Sequence, residues 1–60
     1  GGTLNISGVT NGTEITVYTV SGTEVARTVA TESTTTINTS LQSGTIAIVK
    51  IGNKSVKIKI

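Results

Sequence analysis

Few side chains in this sequence are suited to acid–base or metal chemistry. There is no His, Cys or Asp, and the three carboxylates, Glu14, Glu24 and Glu32, stand apart from one another. General acid–base catalysis needs a positioned titratable group near its target. A zinc site needs several His, Cys or carboxylate ligands. The sequence therefore predicts a protein that is not an enzyme and that holds no metal or cofactor.

Serine with lysine is the one nucleophilic pairing to consider. Ser55 follows Lys54 and precedes Lys57 by two residues, and a serine nucleophile needs an adjacent base. Successive side chains of a strand point to opposite faces, which separates Ser55 from Lys54. Lys57 shares a face with Ser55, but we expect that face to be an open surface, which does not activate a lysine. The pair is therefore not expected to be catalytic.

The lysines are concentrated in one segment. Residues 1–49 hold three glutamates and one arginine, a charge of −2, whereas residues 50–60 hold four lysines, a charge of +4. Such asymmetry is found in docking surfaces, but lysines also protect edge strands from aggregation. Charge alone leaves both interpretations open. No aromatic residue is interleaved with the lysines, which argues against a nucleic-acid site.

The elements that position these lysines are predicted to be strands. Thr occupies thirteen positions, and the β-branched residues Thr, Val and Ile favour strands over helices. Turn signals recur about every 8–12 residues, as in a small sandwich or barrel. The predicted strands are residues 3–7, 14–20, 24–30, 33–38, 45–51 and 54–60. No apolar run approaches the length of about 18 residues that a membrane-spanning helix needs.

This pattern predicts an all-β fold, a small antiparallel sandwich or barrel of about six strands, with residues 1–60 in a single domain. Asn11-Gly12 lies between two apolar runs and predicts a hairpin that joins the strands on either side. Ser21-Gly22 and Gly52-Asn53 mark two further turns. The segment 40–44 is predicted to be a connection anchored by Leu41.

The last hairpin has a register that can be predicted. If Gly52-Asn53 is a two-residue loop, Ile51 faces Lys54 and Val49 faces Val56, and opposed residues share a face. One face then holds Ala47, Val49, Ile51, Lys54, Val56, Ile58 and Ile60. The other holds Ile46, Ile48, Lys50, Ser55, Lys57 and Lys59. Because a slip of one residue would mix the two faces, we expect a core face and a basic face.

Three stretches of the sequence together resemble a known family. Residues 15–25, ITVYTVSGTEV, match a strand with a Val-Tyr pair, a turn ending in Gly, and a returning Val. Residues 37–44, INTSLQSG, match an Ile-Asp-like pair followed by Ser-Leu and Ser-Gly. Residues 48–60, IVKIGNKSVKIKI, match a closing pair of strands dotted with lysine. This set is similar to the type A C-terminal sorting domain of the type IX secretion system of Bacteroidota.

The match has three departures from the family pattern. Ala47 stands where the family has Tyr, and Asn38 replaces the common Asp. The Tyr-Pro-Asn-Pro-like opening is missing, which predicts that the first strand of the domain lies upstream of Gly1. The general export signal of the parent protein is expected upstream of Gly1 as well.

The resemblance implies a small Ig-like antiparallel β-sandwich that serves as a non-catalytic sorting signal on an exported cargo protein. The cargo would cross the inner membrane, pass through the periplasm and reach the cell surface or medium through the outer-membrane type IX translocon. Its expected partners are the translocon and the outer-membrane shuttle and sortase proteins, of which the sortase usually removes the domain. The residues implied in recognition are Gly44, Lys50, Gly52, Lys54, Val56, Lys57, Ile58, Lys59 and Ile60.

Within that set the resemblance implies a division of roles. Lys50, Lys57 and Lys59 would steer the approach of the receptor. Val56 and Ile58 would hold the core, and the glycines would set the turns.

Two other functions remain open on the sequence. A structural or adhesive module of a larger surface protein, Ig-like or fibronectin-like, would share the fold without a special role for the last hairpin. A carbohydrate-binding domain would need aromatic rings to stack on sugars, and Tyr18 is the single ring in the sequence. The exposed strand edges further predict strand exchange between two copies as a route to a homodimer.

Overall fold

The fold is all-β and antiparallel, as the sequence predicts. A computed structural model of the chain describes residues 2–31 and 33–60, and within those ranges it contains six strands and no helix. The strands are β1 (Thr3–Ser7), β2 (Glu14–Thr19), β3 (Glu24–Val29), β4 (Thr34–Asn38), β5 (Ile46–Ile51) and β6 (Lys54–Lys59). Each predicted strand is therefore found, with boundaries that agree to within one residue.

The strands form two sheets that pack as a small sandwich. One sheet has four strands in the order β3-β2-β5-β6, and the other has two, β1 and β4. In both sheets every neighbouring pair is antiparallel. Apolar side chains from the two inner faces meet between the sheets, which is how a sandwich removes them from water.

The core between the sheets is small and aliphatic. Its buried residues are Ile15, Val17, Ala30, Ile37, Ala47 and Val49. Leu4 and Ile6 of the small sheet and Ile58 of β6 are half-buried and pack against this cluster. Leu41 also packs against it, which confirms the predicted anchor in the connection between β4 and β5.

The hairpin predicted at Asn11-Gly12 is wrong, although the turn itself is present. The N–H of Thr13 donates to the carbonyl of Thr10 (3.1 Å), and Gly12 has a φ of +88°. The flanking strands do not pair with each other, because β1 pairs with β4 whereas β2 pairs with β3 and β5. The turn therefore carries the chain from one sheet to the other.

The turn predicted at Ser21-Gly22 is present, and it joins β2 to β3 as a hairpin. The N–H of Gly22 donates to the carbonyl of Thr19 (2.9 Å), and Gly22 has a φ of +95°. The register between these strands shifts at Val17/Tyr18, where a β-bulge leaves Val25 as the extra residue of β3. A bulge of this kind twists the strand and interrupts the regular ladder.

The two-stranded sheet does not cover β6. Val56 lies on the core side of the large sheet, because it pairs with buried Val49, yet it is 47% exposed. The prediction that Val56 holds the core is therefore wrong. The physical reason is that the sheets differ in size, because a sheet of two strands cannot cover all four strands of the sheet opposite. Ile58, farther from the turn, is half-buried and does pack against the core.

Candidate functional site: the outer face and free edge of the last hairpin

The hairpin of β5 and β6 has the predicted register throughout. Ile51 pairs with Lys54, Val49 with Val56, and Ile46 with Lys59. Alternation of apolar and polar residues selects this pairing, because a one-residue slip would exchange the two faces of β6. Ala47 and Val49 accordingly lie in the core, and the basic residues face away from it.

The turn that closes this hairpin depends on Gly52. Its φ is +61°, whereas φ is not positive at Asn53. This combination is that of a type II′ turn, which requires glycine at its first central position and matches the twist of paired strands. The N–H of Gly52 also donates to the carbonyl of Glu14 (2.9 Å), so the turn is attached to the start of β2.

The far end of the hairpin is held through Ile60. Its N–H donates to the carbonyl of Thr45 (2.8 Å), and its own carbonyl accepts from the N–H of Gly44 (2.9 Å). Gly44 reaches this position with a φ of +92°, in the left-handed region that favours glycine. The predicted roles of Gly44 and Gly52 in setting the turns at the two ends of this hairpin are confirmed.

We call the face of the four-stranded sheet that points away from β1 and β4 the outer face. The register assigns twelve residues to it, which are Glu24, Arg27, Val29, Glu14, Thr16, Tyr18, Ile46, Ile48, Lys50, Ser55, Lys57 and Lys59. No described residue of the small sheet lies over it, because β1 and β4 pack on the opposite side. The outer face is therefore a continuous surface open to solvent.

The centre of the outer face is apolar. Tyr18 pairs with Ile48, and Ile48 pairs in turn with Lys57. Tyr18 and Ile48 are half-buried, and Ile46 is 38% exposed. Thr16, which pairs with both Arg27 and Lys50, is only 2% exposed. Burial of Thr16 without a covering sheet indicates that its longer neighbours on the same face shield it.

The β3 side of the outer face carries paired charges. The guanidinium of Arg27 donates to Glu24 Oε1 (2.8 Å) and lies 3.8 Å from Glu14 Oε2. The hydrogen bond that Arg27 donates to Glu24, together with the charges of the two carboxylates, raises the pKa of Arg27 above its ordinary value. These groups are exposed, so the pairs add little stability. One guanidinium with two carboxylates leaves this side of the face slightly negative.

The β6 side of the outer face is different, because its charges are all positive. Lys50, Lys57 and Lys59 are exposed, and none forms a salt bridge within residues 2–31 and 33–60. Lys57 is diagonal to Lys50 across the ladder and lies two residues from Lys59 on the same strand face. Diagonal neighbours in a ladder are about 7–8 Å apart. The three ammonium groups therefore form one basic patch.

The backbone of β6 also has an unpaired side. In an antiparallel ladder, hydrogen-bonded and non-hydrogen-bonded pairs alternate. Ile60 bonds to Thr45, so Ile58, Val56 and Lys54 likewise bond to β5. The N–H and C=O groups of the alternate residues then point away from β5. No described strand pairs with that side, which we call the free edge, and its residues are Ser55, Lys57 and Lys59.

The structure brings most of the predicted recognition residues into one region. Lys50, Lys57 and Lys59 share the outer face, and Ile58 and Ile60 lie on the other side of the same strand. Lys54 is next to the turn on that inner side, away from the basic patch. Gly44 and Gly52 are at opposite ends of the hairpin and present no side chain to a partner.

Sequence reasoning missed the part of the outer face that comes from β2. Tyr18 and Thr16 belong to it, and their alternation with Ile15 and Val17 is visible in the sequence. The sequence did not reveal that β2 pairs with β5, because these two strands lie in distant parts of the chain. That pairing places Tyr18 next to Ile48.

The described part of the chain offers no enclosed site. It has no pocket and no group of three or more His, Cys, Asp or Glu residues that could hold a metal ion. No helix in residues 2–31 and 33–60 is long and apolar enough to cross a membrane. The candidate site is therefore an exposed surface, made of the outer face and the free edge.

Comparisons with protein-family models, curated proteins and solved structures find no match to this chain.

Proposed function

We propose that this chain is a non-catalytic sorting domain, a type IX secretion signal that directs a cargo protein through the outer-membrane translocon. The observation that carries the proposal is the geometry of β6. The strand is the outermost of its sheet, its lysines are exposed and lack ion pairs among the described residues, and its free edge is unpaired. A receptor can bind such a strand without unfolding the domain.

In this proposal the residues of the hairpin have two roles: some contact the receptor, and the others hold the strand in place. Lys50, Lys57 and Lys59 are the contacts that attract an acidic receptor surface, since exposed charges interact over about 8 Å at physiological salt before the ions screen them. Lys54 adds positive charge beside the turn. Val56, which is exposed, becomes a contact residue instead of a core residue.

The support comes from the packing and hydrogen bonds at both ends. Ile58 and Ile60 pack against the core, while Gly52 sets the turn and the N–H of Gly44 holds the carbonyl of Ile60. These interactions keep β6 in one register. The lysines are thereby presented in a constant arrangement, which lowers the conformational entropy lost on binding.

The proposal gives the chain a place in export. The parent is exported to the periplasm, and the domain then meets the outer-membrane shuttle and the translocon. After passage the sortase removes the domain, and the cargo remains at the cell surface or is released. The domain itself needs no cofactor and makes no direct membrane span.

A transfer experiment tests this function. Residues 1–60 are fused behind a reporter with a general export signal, in a Bacteroidota host with a working type IX translocon and in an isogenic host that lacks it. We expect the reporter at the surface or in the medium of the first host and in the periplasm of the second. Equal distribution in the two hosts would contradict the proposal and favour a structural or adhesive module.

Point variants locate the signal. Deleting residues 52–60 should abolish export, but that deletion also removes Ile58 and Ile60 from the core. The sharper variant is Lys57→Gln with Lys59→Gln, which keeps the strand and changes the charge by two units. Its control is Thr3→Glu with Thr34→Glu, an equal charge change at exposed positions of the small sheet. Export should fall for the lysine pair and persist for the threonine pair. Unchanged export of the lysine pair would rule out the basic patch as the signal.

A further inference from the structure

The two edges of the four-stranded sheet are built differently. The β3 edge carries a bulge at Val17/Tyr18, its arginine is paired with two glutamates, and β4 packs beside it. Bulges and covering elements are the usual ways to prevent a sheet edge from pairing. The β6 edge has a regular register and no covering strand among the described residues. Only its lysines discourage pairing.

The two faces of β6 next to the free edge have different chemistry. Toward the outer face the strand presents Ser55, Lys57 and Lys59. Toward the inner face it presents Val56, which is 47% exposed, and Ile58, which is half-buried. A strand added along the free edge would therefore meet ammonium groups on one side and an incompletely covered apolar surface on the other.

We infer that the free edge of β6 binds an extended acidic segment of a partner protein, with Glu or Asp at alternate positions and apolar residues between them. The backbone of that segment would pair with the N–H and C=O groups of Ser55, Lys57 and Lys59. Its carboxylates would lie opposite the lysines on the outer face, and its apolar side chains would cover Val56. This inference deepens the proposed function and rests on it, because it states the chemistry of the export receptor.

A second copy of the chain does not fit the free edge. In an antiparallel pairing of two β6 strands, residues on the same face stand opposite one another. The registers that pair the most residues of the two strands place Lys57 of one copy opposite or diagonal to Lys57 of the other. Like charges directly opposite one another destabilise a sheet, whereas two favourable pairs of opposite charges strengthen binding by up to about thirtyfold. Charge complementarity therefore selects an acidic partner.

Strand addition is a known way for a sheet edge to bind a peptide. Main-chain hydrogen bonds provide affinity, and alternate side chains provide specificity. In this chain the alternation needed in the partner is set by the register of β6 itself. A peptide with consecutive acidic residues would point half of its carboxylates toward Val56, where they would lose water without meeting a lysine.

The experiment titrates the isotope-labelled 60-residue chain with three synthetic peptides and follows backbone amides by NMR. The first peptide alternates Glu with Val, the second has the same composition with the glutamates consecutive, and the third alternates Lys with Val. We expect the first to bind about tenfold or more tightly than either of the others. It should also slow hydrogen exchange at Ser55, Lys57 and Lys59, whose amides face the free edge.

Variants and vesicles complete the test. Lys57→Glu with Lys59→Glu should reverse the preference toward the Lys-Val peptide, and Thr3→Glu with Thr34→Glu should leave the Glu-Val preference in place. Equal binding of alternating and consecutive peptides would mean charge attraction without strand addition and would overturn the inference. Slowed exchange with vesicles of phosphatidylglycerol and phosphatidylcholine, but with none of the peptides, would overturn it in favour of a membrane surface.

The outcomes separate this inference from the proposed function. Export of the reporter without selective binding of the Glu-Val peptide would reject the acidic strand and leave the sorting function. Selective peptide binding without translocon-dependent export would reject the sorting function and leave the free edge as a docking site for acidic strands.

Discussion

The N–H of Gly44 donates a hydrogen bond of 2.9 Å to the carbonyl of Ile60. This contact connects the loop before β5 to the residue after β6, and the N–H of Ile60 returns a bond to Thr45 (2.8 Å). The hairpin is consequently held at its open end as well as at its turn. Fraying, which is common at exposed strand ends, is therefore opposed at the end of β6 that carries Lys59.

The contribution of Ile60 can be divided between its side chain and its backbone. We expect Ile60→Ala to lower the free energy of unfolding by about 1–2 kcal/mol, because the side chain is half-buried. Deleting Ile60 should lower it by about 1 kcal/mol more, because the bonds to Thr45 and Gly44 are lost too. Urea denaturation measures both. Equal losses would show that these backbone bonds do not stabilise the hairpin.

At Gly52 the backbone conformation should restrict substitution more than the space available for a side chain does. A Cβ there would lie 3.5 Å from Thr13 Cγ2, an ordinary contact. Gly52→Ala should nevertheless cost about 1–3 kcal/mol, because φ is +61°. D-alanine introduced at the same position by chemical synthesis is the matched control and should preserve stability or increase it. Equal thermal denaturation curves for the two alanine forms would contradict this account of the turn.

The pair Val49 and Val56 tests the unequal cover of the large sheet. The two valines are opposite each other, but Val49 is 2% exposed and Val56 is 47% exposed. We expect Val49→Ala to reduce stability by about 2 kcal/mol through lost burial and a cavity. Val56→Ala should change it by no more than about 0.5 kcal/mol. Comparable losses in chemical denaturation would mean that Val56 is covered in solution.

Thr39 connects the start of β1 to the end of β4 through a buried hydroxyl. Its Oγ1 donates to the carbonyl of Gly2 (2.6 Å) and accepts from the N–H of Leu41 (3.2 Å). Thr39→Val keeps the shape and removes both bonds, so we expect a loss of about 1–3 kcal/mol. Thr39→Ser keeps the hydroxyl and should cost less. The reverse order in denaturation experiments would show that the methyl group dominates.

The lysines of β6 should also limit self-association. Replacing Lys57 and Lys59 with threonine retains strand propensity and removes the like charges that oppose edge-to-edge pairing. We expect this variant to form dimers or larger species in analytical ultracentrifugation at concentrations where the unchanged chain is monomeric. Dimers of the unchanged chain would instead support strand exchange, because exchange keeps every lysine in its present pairs. Added salt distinguishes an edge-to-edge dimer from a strand-exchanged dimer. Salt screens the lysine charges at an edge contact, whereas exchange leaves every lysine in its present pairs and should depend little on salt.

The strands and the register of the last hairpin could be predicted because both depend on local, period-two patterns. Val56, Ile58 and Ile60 alternate with polar residues, and only one pairing across Gly52 places them on the same face as Val49. The turn at Asn11-Gly12 could not be interpreted in this way. The same dipeptide turns the chain whether the next strand pairs with the previous one or crosses to another sheet.

By itself the sequence determined where the strands lie and how residues 45–60 fold back on themselves. Neighbouring residues and alternation are enough for those features. The tertiary structure decided that β1 pairs with β4, that Tyr18 joins the outer face, and that Val56 remains exposed. These features depend on which distant strands meet and how far one sheet extends over the other, and the packing of the whole chain settles both.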